Sequence, residues 1–482
     1  MTRSHKLEFR ILAFVLGLGA LASVEACDTW VALANATAAR LTILGKNSDR
    51  PQFDAQPLLF YPHRNWYEGT TIDLGRIKIS QVKETLATMG SSPYWCWGYE
   101  EGINEFGVAI GNEGQHTKPL NAAIASFKKG SEPALGPTGM DLVRLGLERG
   151  RTAREALDVI TRLLETYGQF GSGHPTEGVD GAYDNSFLIA DPQEAYVLET
   201  GGTRWVARRF AQGTTSISNK LGITTVWDLA SPDLQDHAVQ QGWWLKSPGT
   251  PFNFETAYAG ETPKDRQGQE GALTRATCSG RLLQEKAGEI TVRWMMRVAR
   301  DRSTKPSVDN KGTASSCVAT LPTSHKDLPV FWWSASRPSN GCYVPYFVHG
   351  SRLPEIASRA GTFGRRIVPP DAAQRDSFSE DSYWWLAKDL SDKVDADWEA
   401  RNPIVRGEFD VLEDEFATGL PPLIKKAAAL RQSGKAGEAA ALLDDYSASC
   451  LNRAVRKTQE LRKRFEGATS RGFPVTSSRP GD

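Results

Sequence analysis

Two short strand-like runs separated by a turn region, Trp30–Leu33 and Leu41–Gly45, constrain how this chain begins to fold. Paired antiparallel, they bring the start of the first run beside the end of the second. Cys27 opens the first, and Lys46-Asn47-Ser48-Asp49-Arg50 follows the second. The residues before Cys27 carry Arg3, Lys6 and Arg10, then the apolar run Ile11 to Leu21, then Val24-Glu25-Ala26 with small residues at −3 and −1. That is the layout of a secretory signal peptide. Cutting after Ala26 predicts a mature chain starting at Cys27, with a thiol and a free α-amine on one residue. A thiolate is a strong nucleophile and the neighbouring amine can act as its base. Two other readings compete. Ala26-Cys27 is also compatible with a lipid-attachment site, although Glu25 fits that poorly. An uncut anchor needs ~20 apolar residues, and the run Ile11–Val24 has only about 14.

The 482 residues allow one large or two ordinary domains, and 40% apolar content with 14 Trp is enough for a substantial core. Lys+Arg and Asp+Glu balance at 57 each, so charge gives no case for a nucleic-acid partner or an anionic membrane surface. The six cysteines (27, 96, 278, 317, 342 and 450) show no C-x-x-C spacing, and the seven His are scattered, which argues against a structural zinc site. Nothing calls for a cofactor. In an exported protein Cys317 and Cys342, flanking the strand-like Pro329–Ser336, are the preferred disulfide pair.

Further strand-like runs occur at Arg76–Val82, Phe106–Gly111, Ser186–Ala190, Ala195–Thr200, Arg204–Arg208 and Thr214–Ser218. Between them Asp141–Glu148 reads as a helix ending at Gly150. A second helix starts at Thr152, where Glu155 completes a capping-box signature; Leu157, Ile160, Leu164 and Tyr167 share a face, and Gly168 stops it. A third helical pattern covers Arg281–Leu283 and Val292–Val298. Gly171–Asp184, rich in glycine, reads as a mobile loop or a long connection. After Ser377 the pattern turns helical: Trp384, Ala387, Leu390, Val394 and Trp398, then Glu408–Phe416, Leu423–Leu430, Ala436–Tyr446 and Leu451–Phe465. The implied division is a leader over 1–26, a catalytic domain over 27–376, a helical region over 377–466 and a frayed tail over 467–482.

Several ordered stretches resemble peptidase family C69, most closely its secernin branch. They are Cys27-Asp28-Thr29-Trp30-Val31-Ala32-Leu33, Gly45-Lys46-Asn47-Ser48-Asp49-Arg50-Pro51, Trp97-Gly98, Gly102-Ile103-Asn104-Glu105, Gly107 through Glu113, Gly139 through Arg149, Asn185 through Asp191, and Ile217-Ser218-Asn219. The resemblance implies an α+β fold, the four-layer αββα sandwich of N-terminal-nucleophile hydrolases, with the helical region appended. It also implies a dipeptidase-like activity on small peptides or amides. Residue by residue, Cys27 matches the nucleophile, Asp49 the acid that holds the α-amine, and Lys46 the adjacent cation, where acylase branches carry Arg. Asn112 and Asn219 match asparagines that supply oxyanion donors. Arg275 is the choice for the late-chain arginine, with Arg281 as its rival.

Chemistry gives these assignments independent sense. A cysteine with pKa ~8.5 and an α-amine of ~8 need help near neutrality, and a cation near sulfur favours thiolate. Blander roles remain open. Asn47 and Asp49 suit a turn, Asn112 between glycines suits a left-handed turn, Lys46 suits a surface, and Arg275 suits a structural ion pair. Tyr94-Trp95-Cys96-Trp97-Gly98-Tyr99 suits core packing better than a pocket wall. Glu100, Glu101 and Glu113 are candidates to bind a substrate ammonium.

Overall fold

The computed structural model describes residues 27–260, 274–323 and 327–466. The expected leader and the expected frayed tail lie outside the described residues. The chain opens with β1 (Asp28–Ala32) antiparallel to β2 (Thr42–Asp49), in a register that places Asp28 opposite Asn47 and Thr29 opposite Lys46. It then builds a second sheet from β3 (Leu58–Tyr61), β4 (Thr88–Ser91), β5 (Glu101–Asn104), β6 (Ala109–Gln115), β7 (Asp184–Ala190), β8 (Ala195–Gly201) and β9 (Arg204–Phe210). β10 (Thr214–Ser218) returns to flank β1, and the short β11 (Leu229–Ala230) closes the far edge of the second sheet. β12 (Thr313–Leu321), β13 (Val330–Ala335) and β14 (Val344–Tyr346) complete the first sheet. The strand orders are β10-β1-β2-β12-β13-β14 and β11-β9-β8-β7-β6-β5-β4-β3, with two small ribbons beside them.

Each sheet carries helices on one face. α1 (Gly139–Arg149) and α2 (Ala153–Tyr167) pack on the eight-stranded sheet, and α3 (Arg275–Gln284) and α4 (Val292–Ala299) on the six-stranded one. The inner faces meet, so the layer order is αββα. Contact is closest at Gly111, where a Cβ would sit 2.6 Å from Thr29 Oγ1 and 2.7 Å from Lys46 Cδ. Only a residue without a side chain fits between the sheets there.

Local chemistry explains the helix ends. Thr138 caps α1 in a full capping box with Asp141, so the helix begins two residues earlier than its apolar pattern indicates. Thr152 caps α2, Leu157, Ile160 and Leu164 are buried, and Gly168 ends it at φ 66°. The third helical pattern resolves into two separate helices. The strand expected over Arg76–Val82 shrinks to Lys78–Ser80 in a ribbon, and β6 starts only at Ala109, because Gly107 at φ 79° turns the chain first.

From Tyr383 onward the described chain is helical: α5 (Tyr383–Asp395), α6 (Trp398–Gln432) and α7 (Ala436–Glu466). Two expectations change here. The Trp384–Trp398 spacing is interrupted, since Ala396 and Asp397 separate α5 from α6. The two segments read over 408–430 are one helix of 35 residues that runs through Pro403, Pro421 and Pro422. Packing of Leu420, Leu423 and Ala427 outweighs the lost backbone bonds at the proline pair.

The disulfide expected between Cys317 and Cys342 is absent: all six cysteines are free thiols. Cys317 neighbours Lys46 and Glu101, whereas Cys342 neighbours Glu413, Arg406 and Arg300, so the two serve different environments. Among the described residues no helix is long and apolar enough to cross a membrane.

Candidate active site

The β1–β2 register decides which way the site residues point. Thr29 and Lys46 are opposite each other and face the second sheet, while Asp28 and Asn47 face α3 and α4. Cys27 precedes β1 at the end where β2 finishes. The backbone N–H of Asp49 donates to Cys27 Sγ at 3.3 Å, and the thiol lies 3.8 Å from the Asp49 carbonyl. Cys27 is buried, at 7% exposure, so little water reaches it.

Burial pushes the Cys27 thiol pKa up, well above its ordinary value. Lys46 pulls it down, and Glu100, Asp49 and Glu113 push it up again. The protein alone therefore leaves Cys27 protonated, and a base that reaches the sulfur is needed to make thiolate. Lys46 is fully buried. Burial disfavours its charge, but Cys27, Glu113, Glu100 and Glu101 outweigh that and keep it protonated. Its Nζ donates to the Asn112 carbonyl and lies 3.6 Å from Glu113 Oε1, and Glu113 also accepts from the Thr29 hydroxyl. Lys46 is not a surface charge.

Asp49 is 2% exposed and accepts from Thr313 Oγ1 at 2.6 Å, so it belongs to the site's frame and not to a solvent-facing turn. Asn112 is placed differently from its expected part. Alternation along β6 sends Gly111 toward the other sheet and the Asn112 side chain toward α1. There the amide sits between Asn185 at 3.0 Å and the Glu100 carbonyl at 2.9 Å, the latter reached with its nitrogen turned that way. The backbone carbonyl of Asn112 is what meets the site, through Lys46. Asn219, just past β10, donates to the Gly114 carbonyl at 2.8 Å and accepts from Arg275 Nη2 at 3.0 Å.

Arg275 opens α3 above β1. Its guanidinium holds Asp28 at 2.6 Å, the Cys27 carbonyl at 2.9 Å and Asn219. Arg281, in the last turn of the same helix, is exposed. Burial pushes the Asp28 carboxyl up to about 8 against the pull of Arg275. Asp28 adjoins the nucleophile in the sequence, so its position was a visible signal. Its ion pair to a residue 247 positions away was not.

Of the three acids considered for a substrate ammonium, two are committed inside the sandwich. Glu113 is held by Thr29 and Lys46, and Glu101 accepts from Ser91 at 2.6 Å and Ser315 at 2.5 Å. Glu100 is ion-paired to Arg50 at 3.4 Å. Arg50 is a residue whose role the sequence did not disclose. It chelates Asp54 at 2.6 and 2.8 Å and holds the Gly173 carbonyl at 2.8 Å. With Arg76, which donates to the Ser172 carbonyl at 2.7 Å, it pins the glycine-rich stretch 171–184, which read as a mobile loop or a long connection. The aromatic run 94–99 is buried, and Gly98 has its Cβ direction blocked 2.1 Å from the Met140 backbone, as core packing requires. Trp95 also donates to Asp54 at 3.1 Å, bracing the Arg50 anchor. Among the described residues no group of three acids, His or Cys is arranged to hold a metal ion.

Residues 80–273 match the model of peptidase family C69. The match spans less than half of the chain. The matched stretch covers the Asn112 and Asn219 strands, while Cys27, Lys46 and Asp49 precede it. The chain is also similar to solved structures. A variant of conjugated bile acid hydrolase from Clostridium perfringens is 12% identical, with 67% of this chain and 93% of that chain covered and a TM-score of 0.37. An N-acylethanolamine-hydrolyzing acid amidase ortholog from Caenorhabditis elegans is 15% identical, with 62% and 95% covered and a TM-score of 0.28. At these scores the superpositions fix neither site nor substrate.

Proposed function

We propose that this chain is a C69-type hydrolase that is exported, loses residues 1–26, and cleaves dipeptides or other small linear amides with Cys27 as an N-terminal nucleophile. The observation that carries the reading is the setting of Cys27 Sγ. It is buried at the head of β1, receives the Asp49 N–H at 3.3 Å, and lies in the field of a protonated Lys46. In the full-length chain the Cys27 nitrogen is an amide with no basicity. Cleavage after Ala26 turns it into an amine on the same residue, which supplies the base that the surroundings lack.

The amine takes the thiol proton, and the sulfur attacks the substrate carbonyl carbon. The resulting ammonium returns its proton to the leaving nitrogen as the C–N bond breaks, giving a thioester. Water then cleaves the C–S bond, releasing the acid and restoring the thiol. Lys46 favours the anionic sulfur, and the backbone N–H of Asp49 donates to it. Arg275 fixes the Cys27 carbonyl, and so the orientation of the residue that carries both reacting groups. Loss of a single donor to a developing oxyanion costs about 10²–10³ in rate. Asn219 is the candidate for that donor, since its Oδ1 is held by the Arg275 guanidinium that also holds the Cys27 carbonyl.

Glu113 and Glu101 are occupied within the sandwich and Glu100 is paired with Arg50, so a substrate ammonium would have to compete with Arg50 for Glu100. The secernin-like sequence pattern around Cys27 and Lys46 supports the dipeptide reading. An acylase acting on N-acyl amino acids is the rival enzyme, and a secernin-like scaffold without turnover is the rival from another class. Assaying the mature protein on dipeptides and their N-acetylated counterparts separates the enzymes: blocking the amine abolishes cleavage by a dipeptidase and leaves an acylase active. Cys27→Ala is expected to abolish turnover with the fold retained. A wild type inert to every amide, with a free Cys27, supports the scaffold.

A further inference from the structure

We infer that the C-terminal helical region sets the position of the nucleophile strand through a buried bracket of Glu413, Tyr343 and Ser316, and that Tyr343 and Ser316 are positioning residues for Cys27. The inference rests on the catalytic reading of Cys27 and Lys46 given above.

The bracket lies on the helix-facing side of β2, opposite to the side that carries Lys46. Ser316, on β12, is paired with Asn47 across the sheet. Its hydroxyl lies 2.9 Å from the Lys46 carbonyl, 2.7 Å from Asn47 Oδ1 and 2.6 Å from the Tyr343 hydroxyl. A serine has one proton to give, so it donates to an oxygen of β2 while accepting from Tyr343. Asn47 in turn donates to the carbonyls of Ala299, at the end of α4, at 2.9 Å and of Val308, beyond it, at 3.2 Å. Both arms converge on one carboxylate of α6. Glu413, fully buried, accepts from the Tyr343 backbone N–H at 2.9 Å, from Arg300 at 2.6 Å and from Arg293 at 2.6 Å. Arg300 directly follows Ala299, and its guanidinium lies 4.9 Å from the centre of the Tyr343 ring.

This arrangement fixes the height of β2 at Lys46 and Asn47, two residues before the Asp49 N–H that meets the sulfur. A shift of β2 moves Lys46 Nζ and that N–H together. Both favour thiolate, so loosening the bracket raises the thiol pKa and slows the reaction of Cys27 without touching the substrate. A purely structural role predicts lower stability and an unchanged sulfur.

The test measures alkylation of Cys27 by iodoacetamide against pH, read by mass spectrometry on the Cys27 peptide, beside thermal midpoints. The proteins are wild type, Tyr343→Phe, Ser316→Ala and the double variant. Each single variant is expected to raise the apparent thiol pKa by about one unit, slowing alkylation at pH 7 about tenfold. The double variant is expected to add little, since the two hydroxyls act in series. Lower midpoints with an alkylation profile identical to wild type overturn the inference. The same spectrum reads the catalytic premise separately: a wild-type Cys27 that is lipid-modified or still joined to Ala26 overturns that premise, whatever the variants do.

Discussion

Replacing Glu113 with Gln tests the electrostatic account of the site, because it gives a sign that intuition about salt bridges reverses. Glu113 lies 3.6 Å from Lys46 and looks like a stabilising partner. It is also fully buried, and burial pushes its carboxyl from an ordinary 4.5 up to about 7, against the downward pull of Lys46 and the Thr29 hydroxyl. Below pH 4.5 the group is protonated in folded and unfolded chains alike and costs nothing. Between 4.5 and 7 the unfolded chain ionises first, so stability falls as pH rises. Above 7 the loss is complete. A shift of 2.5 units at about 1.4 kcal/mol each makes it about 3 kcal/mol. Gln mimics the protonated acid, keeps an oxygen for Thr29, and has no such pH dependence. Urea unfolding of wild type and Glu113→Gln at pH 5 and pH 8 isolates this group from Glu101, Asp28 and Glu199, whose contributions cancel in the double difference. The variant is expected to gain about 2.5 kcal/mol on wild type between pH 5 and pH 8, part of the full effect having already appeared by pH 5. A variant that loses ground at pH 8 shows an ionised Glu113 stabilising the fold through Lys46, and the reasoning fails.

Other perturbations follow from the same geometry. Arg275→Leu strands the buried Asp28 and is expected to cost about 1.5–3 kcal/mol, more at pH 9 than at pH 6 because the guanidinium helps only the ionised acid; denaturant midpoints at both pH values check it. Glu413→Ala removes the buried carboxylate shared by Arg300 and Arg293 and is expected to lower stability by about 3–5 kcal/mol by urea titration. Gly139→Ala puts a methyl group 1.8 Å from Asn185 Oδ1 and is expected to cost about 1–3 kcal/mol, measured as a fall in thermal midpoint.

What could be read in the sequence was what depends on near neighbours. Thr152, Glu155 and Gly168 bound a helix by their own chemistry, and α2 has those ends. The pairing of two strands separated by nine residues brings Cys27 to Asp49, and the register does so. Asn112 shows where such reading stops. Its place on a strand was legible, but which face it takes is set by the close approach of Gly111 to Thr29, a contact between sheets. The helical pattern read as two segments, Glu408–Phe416 and Leu423–Leu430, yet tertiary packing carries α6 through Pro421 and Pro422 between them. Lys46 read as a possible surface charge because its carboxylate neighbours Glu100, Glu101 and Glu113 arrive from another sheet. Glu413, Tyr343 and Ser316 sit about 30 to 100 positions apart, and no spacing rule links them.

The central claim is that proteolysis creates the base that Cys27 needs. Intact mass and N-terminal sequencing of purified, catalytically active protein test it most directly. The account predicts a chain that starts at Cys27 with a free amine and an unmodified thiol. Active protein that retains residues 1–26, or whose Cys27 amine is capped, contradicts it.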